Sequence, residues 1–301
     1  MDLQSLIEVV IEQVRIGALT IAEMAGLPLG LTYKAAESNT PATAMGMRAA
    51  ERIRAYTEQR CEELGLPFFA VSEEIKNFGD PAAKLVFYID PDDGSSRMPI
   101  WQQGDLLPVT GSCAVVDGQT VVAAYGDPSH NEIVLAIKGH GAWILPLDGS
   151  GTHNTFVTRK PAQPHAKSCM YVDALQNDET RIAFSIVMRE LGRYCMNMRT
   201  EASCLTHLGR LMRGQCDLVL VHAMSGFWDI GIALGCQEVG CKVTDINGND
   251  ISSPAGSPRR DGSYPLLLAT APGLPHEEIL KKVQEAYGFD YPGFRGKDEY
   301  K

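Results

Sequence analysis

Three carboxylates stand within four residues at Asp90-Pro91-Asp92-Asp93, directly after the apolar run Leu85–Ile89. A fold that buries such a cluster must answer its mutual repulsion, which otherwise raises the carboxyl pKa values or opens the site. A hard divalent cation offsets that repulsion and takes oxygen ligands. The string continues as Gly94-Ser95-Ser96, residues that offer backbone N–H groups and hydroxyls to an anion. Pro91 and Gly94 predict a tight turn at the strand end. Asp90 and Asp93 would then face one point, with the carbonyl of Asp92 beside them.

Two further acidic spots end apolar elements. Glu73-Glu74 follow Phe68-Phe69-Ala70-Val71, and Asp229 stands between Phe227-Trp228 and Ile230-Gly231. Taken singly, the Glu pair reads as solvated and Asp229 as a helix N-cap. Taken together, carboxylates at the ends of three separate elements are what a multi-metal site requires.

The flanking pattern predicts how such a site is carried. Leu3, Leu6, Ile7, Val10, Ile11 and Val14 fall on one helical stripe, and helical spacing returns over 42–64. Strand-like runs follow at Pro67–Val71, Leu85–Ile89, Ser112–Val116, Val121–Tyr125 and Ile133–Ile137, with turn signals at Asp117-Gly118 and Asp127-Pro128. They predict a meandering sheet after two helices. Beyond Thr158–Ser168, a linker candidate with Pro161 and Pro164, strands alternate with helices: Met170–Val172, Glu179–Leu191, Ser203–Arg213, Leu218–His222, Ile230–Val239 and Leu266–Ala269. The expected organisation is an N-terminal α+β half (1–160), a C-terminal α/β half (168–290) and a loose tail (291–301).

Composition narrows the function. With 27 Lys+Arg against 37 Asp+Glu the net charge is −10, so a phosphate backbone is repelled and a nucleic-acid partner is not expected. A phosphorylated small molecule is not excluded, because bound cations reverse the local sign. No apolar run reaches the length of about 18 residues that a membrane helix needs. The N-terminal stretch lacks a basic start and is interrupted by Glu8, Glu12, Arg15 and Glu23, unlike a signal peptide. The eight cysteines form no CxxC pair and read as buried thiols of a reducing compartment, so a cytoplasmic setting is expected.

Glu73-Glu74, Asp90-Pro91-Asp92-Asp93-Gly94-Ser95-Ser96 and Trp228-Asp229 together resemble the inositol monophosphatase and fructose-1,6-bisphosphatase superfamily. That family writes them as a Glu-Glu pair, an Asp-Pro-x-Asp-Gly-Ser/Thr turn and a Trp-Asp step. Ala124-Tyr125-Gly126-Asp127-Pro128, Lys138-Gly139-His140-Gly141-Ala142 and Val243-Thr244-Asp245 are weaker matches. The resemblance implies an αβαβα layered sandwich and a lithium-sensitive, Mg2+-dependent phosphomonoesterase, with Mn2+ as a substitute cation and a homodimer as the assembly. It implies two or three Mg2+ ions held by Glu73, Asp90, Asp93, Asp229, the Asp92 carbonyl and the Ser95 hydroxyl. Gly94, Ser95 and Ser96 would hold phosphate, and Glu74 would accept the proton of the attacking water, directly or through Ser95.

Two departures from the family pattern bear on the substrate and the rate. The family's sugar-alcohol phosphatases carry an Asp in a Thr-x-x-Asp segment early in the second helix, but Pro41-Ala42-Thr43-Ala44-Met45-Gly46-Met47 has no carboxylate. The inositol-contacting Glu is replaced by Val221 or His222. Ser203 and Cys204 sit at a substrate-wall position, and His222 is a candidate contact. Arg199, Arg210 and Arg213 read either as helix-surface charges or as holders of a second phosphate. The expected substrate is a small sugar or polyol phosphate. A bisphosphate, fructose-1,6-bisphosphate or a 3′-phosphorylated nucleotide, is the second reading. A catalytically weak, metal-binding regulatory relative is the third.

Overall fold

The computed structural model describes residues 2–25, 31–33, 41–95, 106–150, 155–158, 160–162, 169–172, 189, 191–192, 195, 197–199, 203–224, 226–254 and 264–287. Helix α1 (Leu3–Met24) begins where the Asp2 side chain accepts from Ser5 N at 3.1 Å. Of the expected stripe, Leu6, Val10 and Val14 are buried and Leu3 is exposed. Helix α2 (Ala44–Glu63) begins at Thr43, whose hydroxyl accepts from Gly46 N at 2.8 Å. Gln13 of α1 is fully buried; it donates to Thr57 of α2 at 2.9 Å and accepts from Ser112 at 2.6 Å. That chain ties both helices to the sheet beneath them.

Strands β1 (Leu31–Tyr33) and β2 (Pro41–Thr43) form a small antiparallel pair. The first large sheet is built from β3 (Phe68–Ser72), β4 (Phe78–Gly79), β5 (Leu85–Asp93), β6 (Val109–Val116), β7 (Gln119–Asp127), β8 (Glu132–Ile137), β9 (Gly141–Pro146) and β10 (Thr155–Phe156). From β5 to β10 it is an antiparallel meander, as the turn signals predict, and β3 joins β5 in parallel. The second sheet is mixed. It comprises β11 (Cys169–Val172), β12 (Asn197–Arg199), β13 (Leu218–Met224), β14 (Lys242–Asp245) and β15 (Tyr264–Thr270), in the order β12-β11-β13-β15-β14. Helices α3 (Cys204–Met212), α4 (Ala233–Glu238) and α5 (His276–Tyr287) complete the described elements.

Alternation along the strands sets the layers. Leu85, Phe87, Ala114, Val122, Ala124 and Leu135 face α1 and α2, while Cys113, Val115, Ala123, Tyr125, Val134 and Ala136 face α3 and α4. In the second sheet Val219, Val221, Leu267 and Ala269 face α3 and α4, and Leu218, Leu220, Leu266 and Leu268 face α5. The result is the αβαβα sandwich. The apolar cluster between the sheets draws on both sides of the 158–168 segment, where Ala162 N donates to Pro272 O at 2.7 Å.

Two expectations change. Strand β5 does not stop before the acidic string but runs to Asp93. The helix expected at Ile230 starts at Ala233, after a 3₁₀ turn over Phe227–Asp229. The helix expected over 179–191 lies outside the described residues apart from Arg189 and Leu191, as does the tail 291–301. Among the described residues no helix is long and apolar enough to cross a membrane. Most described cysteines are thiols buried in the apolar layers.

His276, at the start of α5, is buried with both ring nitrogens against hydroxyls: Nε2 lies 2.9 Å from Thr244 Oγ1 and Nδ1 2.8 Å from Thr270 Oγ1. Burial, and secondarily Lys242, pushes its pKa down from 6.5 to about 4. The folded state therefore disfavours the imidazolium. This contribution is complete above pH 6.5 and fades as the pH falls from there towards 4, by on the order of 3 kcal/mol. Urea unfolding at pH 7 and pH 4.5 should show His276→Gln losing less stability on acidification than the native chain. Equal losses would remove His276 from the acid limb.

Candidate metal centre

The parallel pairing of β3 with β5 puts the ends of both strands side by side. Ser72 pairs with Ile89, and Glu73 N donates to Ile89 O at 3.2 Å, so Glu73 emerges next to Asp90. The register of β5 against β6 then shifts: Asp90 pairs with Gly111 and Asp93 with Val109. Three steps on one strand are matched by two on the other, which is a β-bulge. Gly111 and Val109 share a face of β6, so the bulge brings Asp90 and Asp93 to one face. A regular strand would set residues three apart on opposite faces. Pro91 is tolerated in the bulge, and its carbonyl accepts from Thr110 Oγ1 at 2.9 Å. The expected tight turn is thus replaced by a bulge, and the chain turns only at Gly94, where φ is +96°.

The third element arrives from the C-terminal half. Phe227 meets Tyr88 of β5 edge-on, with centroids 5.1 Å apart, and a Cβ on Gly231 would lie 2.7 Å from Cys113 Sγ. These contacts seat the 3₁₀ turn on the sheet, and Asp229 Oδ2 accepts from Gly226 N at 3.2 Å. Asp229 is the last residue of that turn, bonded back to its N-cap backbone, and is not itself the N-cap residue. Glu73, Asp90 and Asp229 each offer an oxygen within 4.8 Å of the other two. Two unit charges at 4.8 Å repel by about 3–4 kcal/mol at an effective dielectric of about 20.

Asp90 is the centre of this repulsion. It is 1% exposed; burial raises its pKa well above the ordinary carboxylate value, and Glu73, Asp93, Asp229 and Asp92 add to the rise. Its Oδ1 accepts from Asp92 N at 3.1 Å, while Oδ2 is buried and meets no donor among the described residues. A buried carboxylate oxygen without a donor, facing two more carboxylates, fits a hard cation. Asp93 stands beside the trio with Oδ2 committed elsewhere: Ser203 Oγ and Leu205 N both donate to it at 2.7 Å, so it caps the start of α3.

The role expected of Asp92 belongs to its backbone carbonyl. Its side chain turns away from the trio towards α2, where Thr43 Oγ1 donates to its Oδ2 at 2.6 Å. Its pKa is raised well above the ordinary value by burial first and then by the charge of Glu74; the Thr43 bond acts in the other direction. Only the backbone carbonyl of Asp92 remains for the role expected of this residue. Glu74 is buried against Asp92. Gly94 and Ser95 follow the bulge, Ser203 and Cys204 open α3, and Val221 is buried in the apolar cluster. Ser96 and the His222 side chain lie outside the described residues. Arg213 is held by Glu132 at 2.6 Å and by the Tyr125 hydroxyl at 3.4 Å, Arg210 donates to Gln215 at 2.9 Å, and Arg199 is exposed. Thr43 and Gly46 escaped the sequence reading. Their signal was the N-cap residue at 43, three positions before the glycine.

The chain matches the inositol monophosphatase family over residues 2–287. In structure it is similar to the extragenic suppressor protein SuhB from Bartonella henselae, with TM-score 0.74 and 16% identity, covering 92% of this chain and 98% of that one. It is similar to an IMPase/NADP phosphatase complexed with Mg2+ and phosphate, with TM-score 0.69 and 16% identity over 93% and 95% of the two chains. A staphylococcal inositol monophosphatase, in a LiCl-soaked inhibitory complex, gives TM-score 0.69 and 15% identity over 94% and 95%. No protein of curated function matches the chain in sequence. The structural likenesses carry the fold.

If crowding at Asp90 is the cost of this centre, Asp90→Asn should melt a few degrees above the native chain in EDTA. Adding Mg2+ should raise the melting temperature of the native chain and leave that of the variant nearly fixed. A native chain indifferent to Mg2+ would speak against a cation site.

Proposed function

The chain belongs to the inositol monophosphatase family, and on that premise we propose that it hydrolyses a small sugar or polyol phosphate with divalent cations held by Glu73, Asp90, Asp93 and Asp229. The observation that carries the reading is the Asp90 oxygen buried without a donor beside Glu73 and Asp229. Mg2+ suits an all-oxygen donor set, and Mn2+ is the expected substitute. The relative solved with Mg2+ and phosphate supports the choice of cation, and two or three such ions belong to this reading. When bound, they supply positive charge to the phosphoryl oxygens and lower the pKa of an attacking water.

The chain's own residues supply placement. Asp90 lies at the centre of the trio and would contact more than one ion. Asp93, anchored through Oδ2 on α3, would meet a cation through Oδ1. The Asp92 carbonyl and the Ser95 hydroxyl would complete the ligand set. Backbone N–H groups at Gly94 and Ser95, with Ser96 beyond them, would hold the phosphate where the chain turns. Glu74, buried one residue from Glu73, would take the proton of the attacking water. Ser203 and Cys204 would line the substrate side, with His222 a contact there. The homodimer and the cytoplasmic setting belong to the same reading by family analogy. Arg213 is engaged by Glu132 and Tyr125, which favours a monoester over a second phosphate held at that residue.

Phosphate release from sugar and polyol phosphates, fructose-1,6-bisphosphate and a 3′-phosphorylated nucleotide tests this reading. With Mg2+ present, kcat/KM should be highest for a monoester, and Li+ should inhibit. Asp229→Ala should raise the Mg2+ concentration for half-maximal rate about tenfold or more. A folded chain that binds Mg2+ yet frees no phosphate from any of these esters would overturn the enzymatic reading in favour of a binding role.

A further inference from the structure

The bulge in β5 sets Pro91 and Asp92 opposite a single residue of β6, Thr110, because Asp90 pairs with Gly111 and Asp93 with Val109. Buried backbone groups that lose their ladder partners in this way must find others. The peptide unit between Pro91 and Asp92 is fixed at both ends. Its carbonyl accepts from Thr110 Oγ1 at 2.9 Å, and its N–H donates to Asp90 Oδ1 at 3.1 Å. The C=O and N–H of a trans peptide point in opposite directions, so the hydroxyl and the carboxylate grip it from opposite sides. Thr110 shares a face of β6 with Ser112, which meets Gln13 of α1. Gly111, the partner of Asp90, lies on the other face, where a Cβ would stand 2.3 Å from Leu205 Cδ1 of α3.

The hydroxyl is itself held by packing. Thr110 is fully buried, and a Cβ on Gly17 of α1 would lie 2.4 Å from its Cγ2 and 2.5 Å from its Oγ1. Its partner on β7 is Gly126, where a Cβ would lie 2.7 Å from Val14 O. Two glycines therefore let one turn of α1 press directly onto this side chain, which leaves it little room to change rotamer.

We propose that Thr110 is a positioning residue for the metal centre: through the Pro91–Asp92 peptide it orients the Asp90 carboxylate, so that one oxygen is engaged and the other is left to a cation. By polarising the carbonyl it also strengthens the N–H bond to Asp90. The inference rests on the cation reading above and adds to it a residue on the far face of the sheet that touches neither cation nor ester.

The native full-length chain is compared with Thr110→Val, Thr110→Ala and Thr110→Ser, by calorimetric titration with Mn2+ and by thermal unfolding in EDTA. Thr110→Val and Thr110→Ala should bind Mn2+ about 10–100-fold more weakly, while Thr110→Ser, which keeps the hydroxyl, should stay within about threefold of the native chain. A Thr110→Ser variant as weak as Thr110→Val would overturn the proposal, since the methyl group and not the hydroxyl would then matter. If Thr110→Val and Thr110→Ala both fail to fold in EDTA where Thr110→Ser folds, the hydroxyl serves the fold alone and the proposal is again overturned. Native Mn2+ binding left unaltered in Thr110→Val would remove the positioning role and leave the cation reading intact, whereas a native chain that binds no Mn2+ would fell both.

Discussion

Like charge forced together out of water is the constraint on which this fold turns. Glu73, Asp90 and Asp229 come from a strand end, a strand interior and a 3₁₀ turn, and each holds an oxygen within 4.8 Å of the other two. Nothing in hydrophobic burial favours that meeting, and the metal-free chain carries it as a local loss of stability. The rest of the architecture is what holds it: a parallel strand pair, a bulge, and an aromatic contact between Phe227 and Tyr88. The αβαβα layers provide enough apolar burial elsewhere to absorb a strained centre.

Much of this was legible in the sequence, because the layers follow from two periodicities. The strand-like runs Leu85–Ile89, Val121–Tyr125 and Ile133–Ile137 became strands of one sheet, and the helical spacing of Leu6, Val10 and Val14 became the buried side of α1. The acids themselves were legible because charged residues at the ends of apolar runs need a reason. The bulge was not. Pro91 and Gly94 carry the same local preferences in a turn as in a kinked strand, and only the pairing with Val109 and Gly111 distinguishes them. The direction of the Asp92 side chain was equally hidden, since it depends on Thr43 and Gly46, more than forty positions away in the chain.

The link from Asp93 to α3 makes the centre a joint property of both halves of the chain. One carboxylate oxygen receives Ser203 Oγ and Leu205 N, so the helix that fills the middle layer is fastened at its start to the acidic strand. The partial positive charge of that helix end also lies against the acidic end of β5. A helix terminus and a side chain are each satisfied by the other, and neither needs water in a buried layer.

The extra residue in β5 separates spacing from identity. What brings Asp90 and Asp93 to a common face is the number of residues between them, matched against a fixed pair on β6, and not the chemistry of those residues. A deletion or insertion there would turn one acid out of the cage whatever side chains remained.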